Sequence, residues 1–536
     1  MNTSVDSIPP VAERARFATV PPQRSTARWT APQARSPRTP TDRPPRPGRR
    51  RIVPRRSTVI RLVIAAAILV AGVAMAIVGS TPTGTGGMTL PIAVTITMFL
   101  LAVWAWAATA LDDTLVAFLA AVALIVTGIL PATTFFASLG DETIWLLIGA
   151  FVIAAGVSSS GLALRGAAHL LRFARGPRSL FHLTTVALMI TAFAVPATSG
   201  RAALAVPVFT AVADILPGRE RVVRALALLM PTVVLLSAVG SLLGAGAHII
   251  TDQLLRAAGE PGFSFLGWLW LGLPLAVVSS HAACEIILWR FTRRADRTTP
   301  LRVTPADIAR SATTGVTGPL SSIERRAAIL LGAVIVLWAT EPVHHLTPAL
   351  VALLGAVAAV TPGIGCTTFP SAVKRVPWSL LLFLSATLAL ASALTSTGAA
   401  TWLSTTALAP LSGLGAASAV VFVLVVIAVS TAAHLLIPSR SARSAAIIPV
   451  VISLAPALGV DPMAAAFAST AAAGFCHTLP SSAKPVAMFA DPDVVPHGFT
   501  PKDLRRLSVL LAPAMFVLVA VFALWIWPAM GLPLLR

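Results

Sequence analysis

The chain has 536 residues, 56% of them hydrophobic and 11% charged, with a mean hydropathy of +0.85 and a formal charge of +20. Too little polar surface remains to face water on all sides, which excludes a soluble globular protein and implies a polytopic membrane protein. Most of the positive charge lies in an N-terminal tail and short loops, where basic residues set membrane orientation rather than grip nucleic acid.

Residues 1–57 are rich in Pro, Arg, Ser and Thr without hydrophobic periodicity, and are expected to form a disordered basic cytoplasmic tail. Residues 58–80 then make a retained first transmembrane helix rather than a signal peptide, since no small-residue cleavage site follows the apolar run. A first repeat spans 88–291, with apolar segments near 89–110, 114–131 and 142–161 and an amphipathic stretch from Leu162 to Arg175. Two short arms follow, Leu180–Val195 and Ala202–Leu216. Arms of this length reach only about 24 and 22 Å against a hydrocarbon core of about 30 Å, so 180–216 reads as a re-entrant hairpin. A segment from Val222 to Leu255 is interrupted between Gly240 and His248, and one more span ends near Arg290.

A basic cytoplasmic linker, 292–324, leads into a second repeat, 325–530, that keeps the same order. Its spans lie near 327–341, 345–361 and 377–397, followed by an amphipathic stretch 399–410 and a hairpin 414–458. A segment 462–490, broken at Pro480–Pro485, and a last span 504–527 complete it. The fold class is therefore all-α, with about 11 transmembrane helices plus two re-entrant hairpins in two repeats. Five crossings per repeat is an odd number, so the second copy must be inverted. Lys and Arg fall in the loops this topology puts inside, with the N-terminus cytoplasmic, and only Arg256 breaks the pattern.

Both hairpins carry the same word at the tip. Pro196/Pro438, Ser199/Ser441, Arg201/Arg443, Ala203/Ala445 and Pro207/Pro449 are identical across twelve positions, where chance supplies roughly one match. A polar, helix-breaking tip with an arginine at bilayer depth is expensive and reads as a functional site. Paired broken helices in inverted repeats are how many secondary carriers build a midplane site, with helix N-termini aimed at an anion. The candidate substrate-binding residues are Thr198, Ser199, Gly200 and Arg201 at the first tip and Ser439, Arg440, Ser441 and Arg443 at the second. Gly244, Gly246 and His248 at the first break and Ser481, Ser482 and Lys484 at the second complete the set. Arg440 has no cationic counterpart, because Thr198 holds that place; it either replaces a bound cation or pairs structurally. His248, His434 and His477 read first as satisfied core histidines and second as proton-coupling groups. His281 and Glu285 read as an interfacial pair, and Cys284, Cys366 and Cys476 as small core residues.

With tips and breaks together, the chain resembles the divalent-anion:sodium symporter family of sulfate and di- and tricarboxylate carriers, over about residues 88–530. The runs Ile144–Ala154 and Pro377–Phe383, continuing to Thr397-Gly398, are also similar to that family. The resemblance implies a homodimer with a scaffold and a transport domain that moves elevator-fashion. The family's tips read Ser-Asn-Thr, with the asparagine helping to hold substrate and sodium. By register that triplet falls on Ala197-Thr198-Ser199 and Ser439-Arg440-Ser441, with no asparagine in either and a cation in the second. Arg201 and Arg443 resemble the exchanger branch, whose tips read Thr-Ala-Arg. A side-chain cation can offset substrate charge as sodium would, so sodium is a doubtful cofactor, and exchange, proton coupling or uniport stand beside symport.

The expectation is a secondary-active carrier of small anions (dicarboxylate, citrate or sulfate) in the cytoplasmic membrane, with no catalytic or metal residues. Two other classes stay open. A metalloid or cation efflux carrier would need acidic or thiol ligands near the breaks, where only Cys476 is found. An integral-membrane enzyme would need a His, Asp or Cys cluster with catalytic spacing, and the sequence has none.

Overall fold

The computed structural model describes residues 56–79, 87–307, 317–408, 417–496 and 498–536. The expected tail thus lies almost wholly outside the described residues, as do parts of the linker and of the entry to the second hairpin. Among the described residues the chain is helical, apart from one isolated bridge between Val460 and Leu535. Residues 56–536 form one compact unit.

Helix α1 (Arg56–Gly79) precedes the first repeat. That repeat comprises α2 (Leu90–Ala108), α3 (Asp113–Val126), α4 (Ala132–Ser138), α5 (Glu142–Ser160), α6 (Leu162–Leu171), α7 (Pro177–Ala194), α8 (Thr198–Asp214), α9 (Glu220–Leu236), α10 (Gly246–Ala257) and α11 (Phe265–Phe291). The second comprises α12 (Ser322–Ala339), α13 (Pro348–Val360), a short helix Phe369–Val373, α14 (Trp378–Ser396), α15 (Ala399–Leu408), α16 (Ser418–Ala432), α17 (Arg440–Leu454), α18 (Pro462–Ala472), α19 (Lys484–Ala490) and α20 (Pro501–Val521). The order matches element for element. Both α5 and α14 are 19 residues long and stop at a left-handed glycine, Gly161 at φ 82° and Gly398 at φ 80°. Only glycine takes that conformation without strain, so both chains turn into their ten-residue amphipathic helices at the same point.

Packing repeats the symmetry reciprocally. Helix α5 packs on α13 while α14 packs on α3, and α10 packs on α17 while α19 packs on α8. Each hairpin therefore rests against the second half of the other repeat's broken helix, the exchange a two-fold relation between inverted copies requires.

Eight helical stretches among the described residues are apolar and at least 18 residues long. Their burial separates two uses of the same hydrophobicity. Glu220–Gly240 is almost wholly buried, so α9 lies in the core of the protein, whereas Ile60–Ile77 is almost wholly exposed on its outside. The shorter α3 and α13 cover only about 20 Å each. Together with α12 and the broken segment that holds α18 they are the expected crossings outside these eight stretches, one of which, Ser418–Leu435, is an arm of the second hairpin.

Two expected boundaries shift. The hairpin tips are tighter, because α8 starts at Thr198 and α17 at Arg440, which moves most of each tip word into a first helical turn. Pro196 follows directly on the end of α7, whereas α16 stops at Ala432 and a 3₁₀ turn Ala433–Leu435 precedes Pro438; Arg201 N–H and Arg443 N–H close the new turns on the carbonyls of Ala197 and Ser439, both at 3.0 Å. The breaks are longer, because α9 stops at Leu236 and α18 at Ala472.

Candidate functional site

The two breaks share one backbone shape. The first has an extended Ser241 (φ −140°, ψ 137°), a 3₁₀ turn Leu242–Gly244 and an extended Ala245 (φ −158°, ψ 149°) before α10 begins. The second has Leu479 (φ −123°, ψ 148°), a 3₁₀ turn Pro480–Ser482 and Ala483 (φ −159°, ψ 146°) before α19. A Cβ on Gly244 would overlap the carbonyl oxygen of Ala238, which explains the glycine in the first turn. In the second, Ser482 is buried and its hydroxyl accepts from Leu479 N–H at 3.1 Å.

Arg201 and Arg443 are fully buried and perform matching tasks. Arg201 donates to the carbonyls of Leu188 (2.8 Å) and Val234 (3.0 Å) and to the hydroxyls of Ser237 (2.6 Å) and Thr191 (3.0 Å). Arg443 donates to the carbonyls of Ile437 (2.9 Å), Pro438 (3.3 Å) and Ala473 (3.1 Å) and to the Cys476 sulfur (2.7 Å). In each repeat the guanidinium ties the hairpin to the carbonyl that ends the first half of the broken helix, and to a side chain three residues further on. A helix C-terminus carries orphan carbonyls and partial negative charge, so a buried cation there satisfies both. Four of the five Arg201 N–H groups are used in this way.

Arg440 differs. Its Nη2 donates to His248 Nε2 at 3.0 Å and to the Thr470 carbonyl at 3.4 Å, whereas its Nε and Nη1 are buried without a partner. Its guanidinium also lies against Gly474, where a Cβ would sit 3.4 Å from Nη2. It thus stands between the first break, through His248, and the second, through Thr470 and Gly474. His248 is held on three sides: Nδ1–H donates to the Ser241 carbonyl at 2.9 Å, Nε2 accepts from Arg440, and the ring stacks on Trp268 with centroids 5.1 Å apart. Trp268 in turn donates to the Val239 carbonyl at 2.9 Å, so α11 braces the break.

The second tip meets the first break directly. A Cβ on Gly246 would sit 3.3 Å from Ser441 Oγ and 2.9 Å from a Leu380 methyl, so the tip approaches bare backbone. Ser439 caps α17 by accepting from Ala442 N–H at 3.3 Å, whereas α8, α10 and α19 start at Ala197, Ala245 and Ala483 with no side-chain cap. The first-turn N–H groups of α8 and α10 therefore have no side-chain acceptor from the cap position. Thr198, Ser199 and Gly200 are half-buried, and Ser481 and Lys484 are exposed. Arg201 lies within electrostatic reach of Arg440 and His248, which brings the first tip toward the same centre.

One residue of this cluster escaped the sequence reading. Asp113, the first residue of α3, is half-buried and lies within electrostatic reach of Ser439 and Lys484. The signal was the doublet Asp112-Asp113: Asp112 caps the helix, accepting from Thr114 N–H at 2.9 Å and Leu115 N–H at 3.3 Å, which leaves its neighbour without that task. Away from the tips, His281 and Glu285 form part of a larger group. His182 reaches His281 Nδ1 at 2.8 Å and Glu285 at 2.6 Å, and Arg178 donates to the same carboxylate at 2.9 Å. His434 bridges the Thr431 carbonyl and the Thr478 hydroxyl. All three cysteines are buried.

Paired hairpins and paired broken helices around a cationic centre, in a polytopic helical membrane protein, define a secondary membrane transporter. The chain belongs to the citrate transporter family, whose model matches residues 99–472, more than half its length. It is 26% identical over 330 residues to a membrane protein of Cupriavidus necator, an alignment covering 61% of this chain and 63% of that one. The match therefore spans less than two thirds of that relative. The fold is similar to the crystal structure of the Alcanivorax borkumensis YdaH transporter, described as having an unusual topology. The TM-score is 0.53 at 14% identity, covering 90% of this chain and all of the other.

Proposed function

We propose that the protein is a secondary-active carrier of small polycarboxylate anions of the citrate type, working by alternating access as a homodimer whose hairpins travel with the substrate. The observation that carries this reading is Arg440, whose buried Nε and Nη1 leave three N–H groups unused between the two helix breaks. Around it the uncapped starts of α8 and α10 offer backbone donors to carboxylate oxygens, and Ser441 and Lys484 add side-chain donors. Arg201 and Arg443 act from behind, holding each hairpin to its break, and do not touch the substrate. Gly246 lets the substrate approach the backbone closely.

Sodium is not required in this reading. Arg440 is already a tethered cation beside the Thr470 carbonyl, so substrate charge is offset without an ion from solution. The test is uptake of labelled citrate, succinate and sulfate into proteoliposomes with and without a sodium gradient. Uptake of citrate and succinate over sulfate, unchanged when potassium replaces sodium, is the expected result. Uptake of none of the three would overturn the carrier reading, and a strict sodium requirement would overturn the tethered-cation part alone.

A further inference from the structure

A groove of about 860 Å³ opens between the first turns of α11 and the end of α12, at the helix ends away from the basic linker. Leu266, Leu269, Trp270 and Leu273 on α11 and Trp338 on α12 line it, with Leu266 and Trp270 exposed. Helix α11 is apolar and long enough to cross a membrane, so what its exposed side chains meet is acyl chain. Both indoles spend their N–H groups elsewhere, Trp270 on the Met530 carbonyl at 3.1 Å and Trp338 on the Pro348 carbonyl at 3.0 Å. They therefore offer the groove ring surface alone. Both also stand near a helix end, where tryptophans gather at a membrane–water boundary.

The polar end of the groove comes from the short turn of helix Glu341–His344 and the residue after it. His344 clamps this turn: its Nε2–H donates to the Leu337 carbonyl at 2.8 Å and its Nδ1 accepts from Leu346 N–H at 3.0 Å. His345 is left exposed at φ 57°, ψ 17°, the one left-handed non-glycine among the described residues, a strained conformation for a residue with a Cβ. Both Glu341 and His345 line the groove, and among the described residues neither side chain has a hydrogen bond or an ion pair. No lysine or arginine lines it. An anionic headgroup thus finds no permanent cation there. A headgroup with a primary ammonium and a phosphate finds both partners, a carboxylate for its N–H donors and an imidazole N–H for its oxygens. We infer that the groove binds a phospholipid with such a zwitterionic amine head, of the phosphatidylethanolamine class. Its acyl chain lies along α11, whose Leu273 also lies against Gly240, where a Cβ would sit 3.6 Å from Leu273 Cδ1. The bound lipid therefore backs the helix that braces the first break.

The experiment is native mass spectrometry of the full chain, delipidated in nonionic detergent at neutral pH and titrated with dioleoyl phosphatidylethanolamine, phosphatidylcholine or phosphatidylglycerol. The acyl chains are the same in all three, so differences report the headgroup. Wild-type protein is expected to bind the ethanolamine lipid about tenfold more tightly than either of the others, since choline has no N–H for Glu341 and glycerol no ammonium. Glu341→Gln removes the charge from a partly exposed position and should bring the three lipids to within about twofold of one another. Leu266→Trp, at an exposed position on the groove wall, should weaken all three by filling the space the chain needs. Equal binding of the three lipids by wild type, or an ethanolamine preference that survives Glu341→Gln, would overturn the assignment. Were the groove instead covered by a second copy of the chain, Leu266→Trp would turn dimers into monomers with lipid binding unchanged, and that result would overturn it too.

Discussion

The guanidinium of Arg440 lies 3.0 Å from Nε2 of His248, whose Nδ1–H is committed to the Ser241 carbonyl 2.9 Å away. A cation donor facing the imidazole requires that Nε2 carry no proton, so His248 serves as a neutral acceptor that aims Arg440. It has no free nitrogen with which to carry a proton across the membrane. His248→Gln, whose amide can supply only part of this bridge, should lower uptake about tenfold with little change in protein yield. His248→Ala should lower it further. Wild-type activity between pH 6 and 8 should show no loss on acidification that the glutamine variant abolishes, and such a loss would contradict the neutral-acceptor role.

Arg201 and Arg440 should fail in different ways. Arg201 donates to two carbonyls and two hydroxyls, so Arg201→Ala strands four acceptors and Arg201→Lys cannot reach them all. Loss of about 3 kcal/mol or more is expected, seen as aggregation on size exclusion in detergent or a large fall in Tm. Arg440 has only two acceptors and leaves Nε and Nη1 unpaired. Arg440→Ala should remain monodisperse and lose transport. The reverse pattern would move substrate binding from Arg440 to Arg201.

A separate pH dependence comes from the buried pair that joins the repeats. Arg165 on α6 donates through Nε to Glu324 Oε1 at 2.6 Å, in the first turn of α12. Burial pushes the Glu324 carboxyl up, but hydrogen bonds from Arg165 and from Ser321 outweigh it and hold the group below the usual carboxylate range. A depressed carboxyl stabilises the fold above its unfolded-state pKa, and that contribution is lost as pH falls through the folded value. The Tm gap between wild type and Glu324→Gln should therefore be full at pH 7 and shrink as pH is lowered below about 4.3. A gap that stays constant would mean that the pair contributes through packing alone.

Much of this was visible in residue order, and what was missed has physical causes. Pro196/Pro438 and the repeated Ser and Arg positions together locate both tips; proline alone would not, since Pro207 and Pro449 lie inside α8 and α17. Arginine at bilayer depth identifies the centre, but not which arginine is free. That depends on Val234 and Ala473, whose carbonyls happen to end helices beside the tips. The end of α18 at Ala472 carries no proline signal; Gly474 is the only local hint, and the helix stops where Arg443 takes the Ala473 carbonyl. Asp113 gives no site signal in the sequence, because Ser439 and Lys484, the residues in its electrostatic reach, lie in the other repeat and no spacing rule connects them.

The reciprocal pair Ser237 and Cys476 tests the inverted relation itself. Each follows by three residues the carbonyl its arginine takes, and each receives an N–H from the arginine's Nη2, at 2.6 Å for Ser237 and 2.7 Å for Cys476; Nη2 also takes the carbonyl in Arg443, whereas Nη1 takes it in Arg201. Equivalent positions in a two-fold arrangement should tolerate each other's side chain. Cys476→Ser and Ser237→Cys keep an acceptor within reach of the guanidinium, so both should fold and transport at rates within about threefold of wild type. Valine at either place fills similar volume but leaves a charged N–H without an acceptor in the core. Ser237→Val and Cys476→Val should therefore each cost about 1–3 kcal/mol and lower Tm by similar amounts. Because the two arginines anchor different hairpins through separate contacts, the double valine variant should lose close to the sum of the single losses. A large penalty at one position and none at the other would mean that the two repeats, alike in backbone, hold their hairpins by different means.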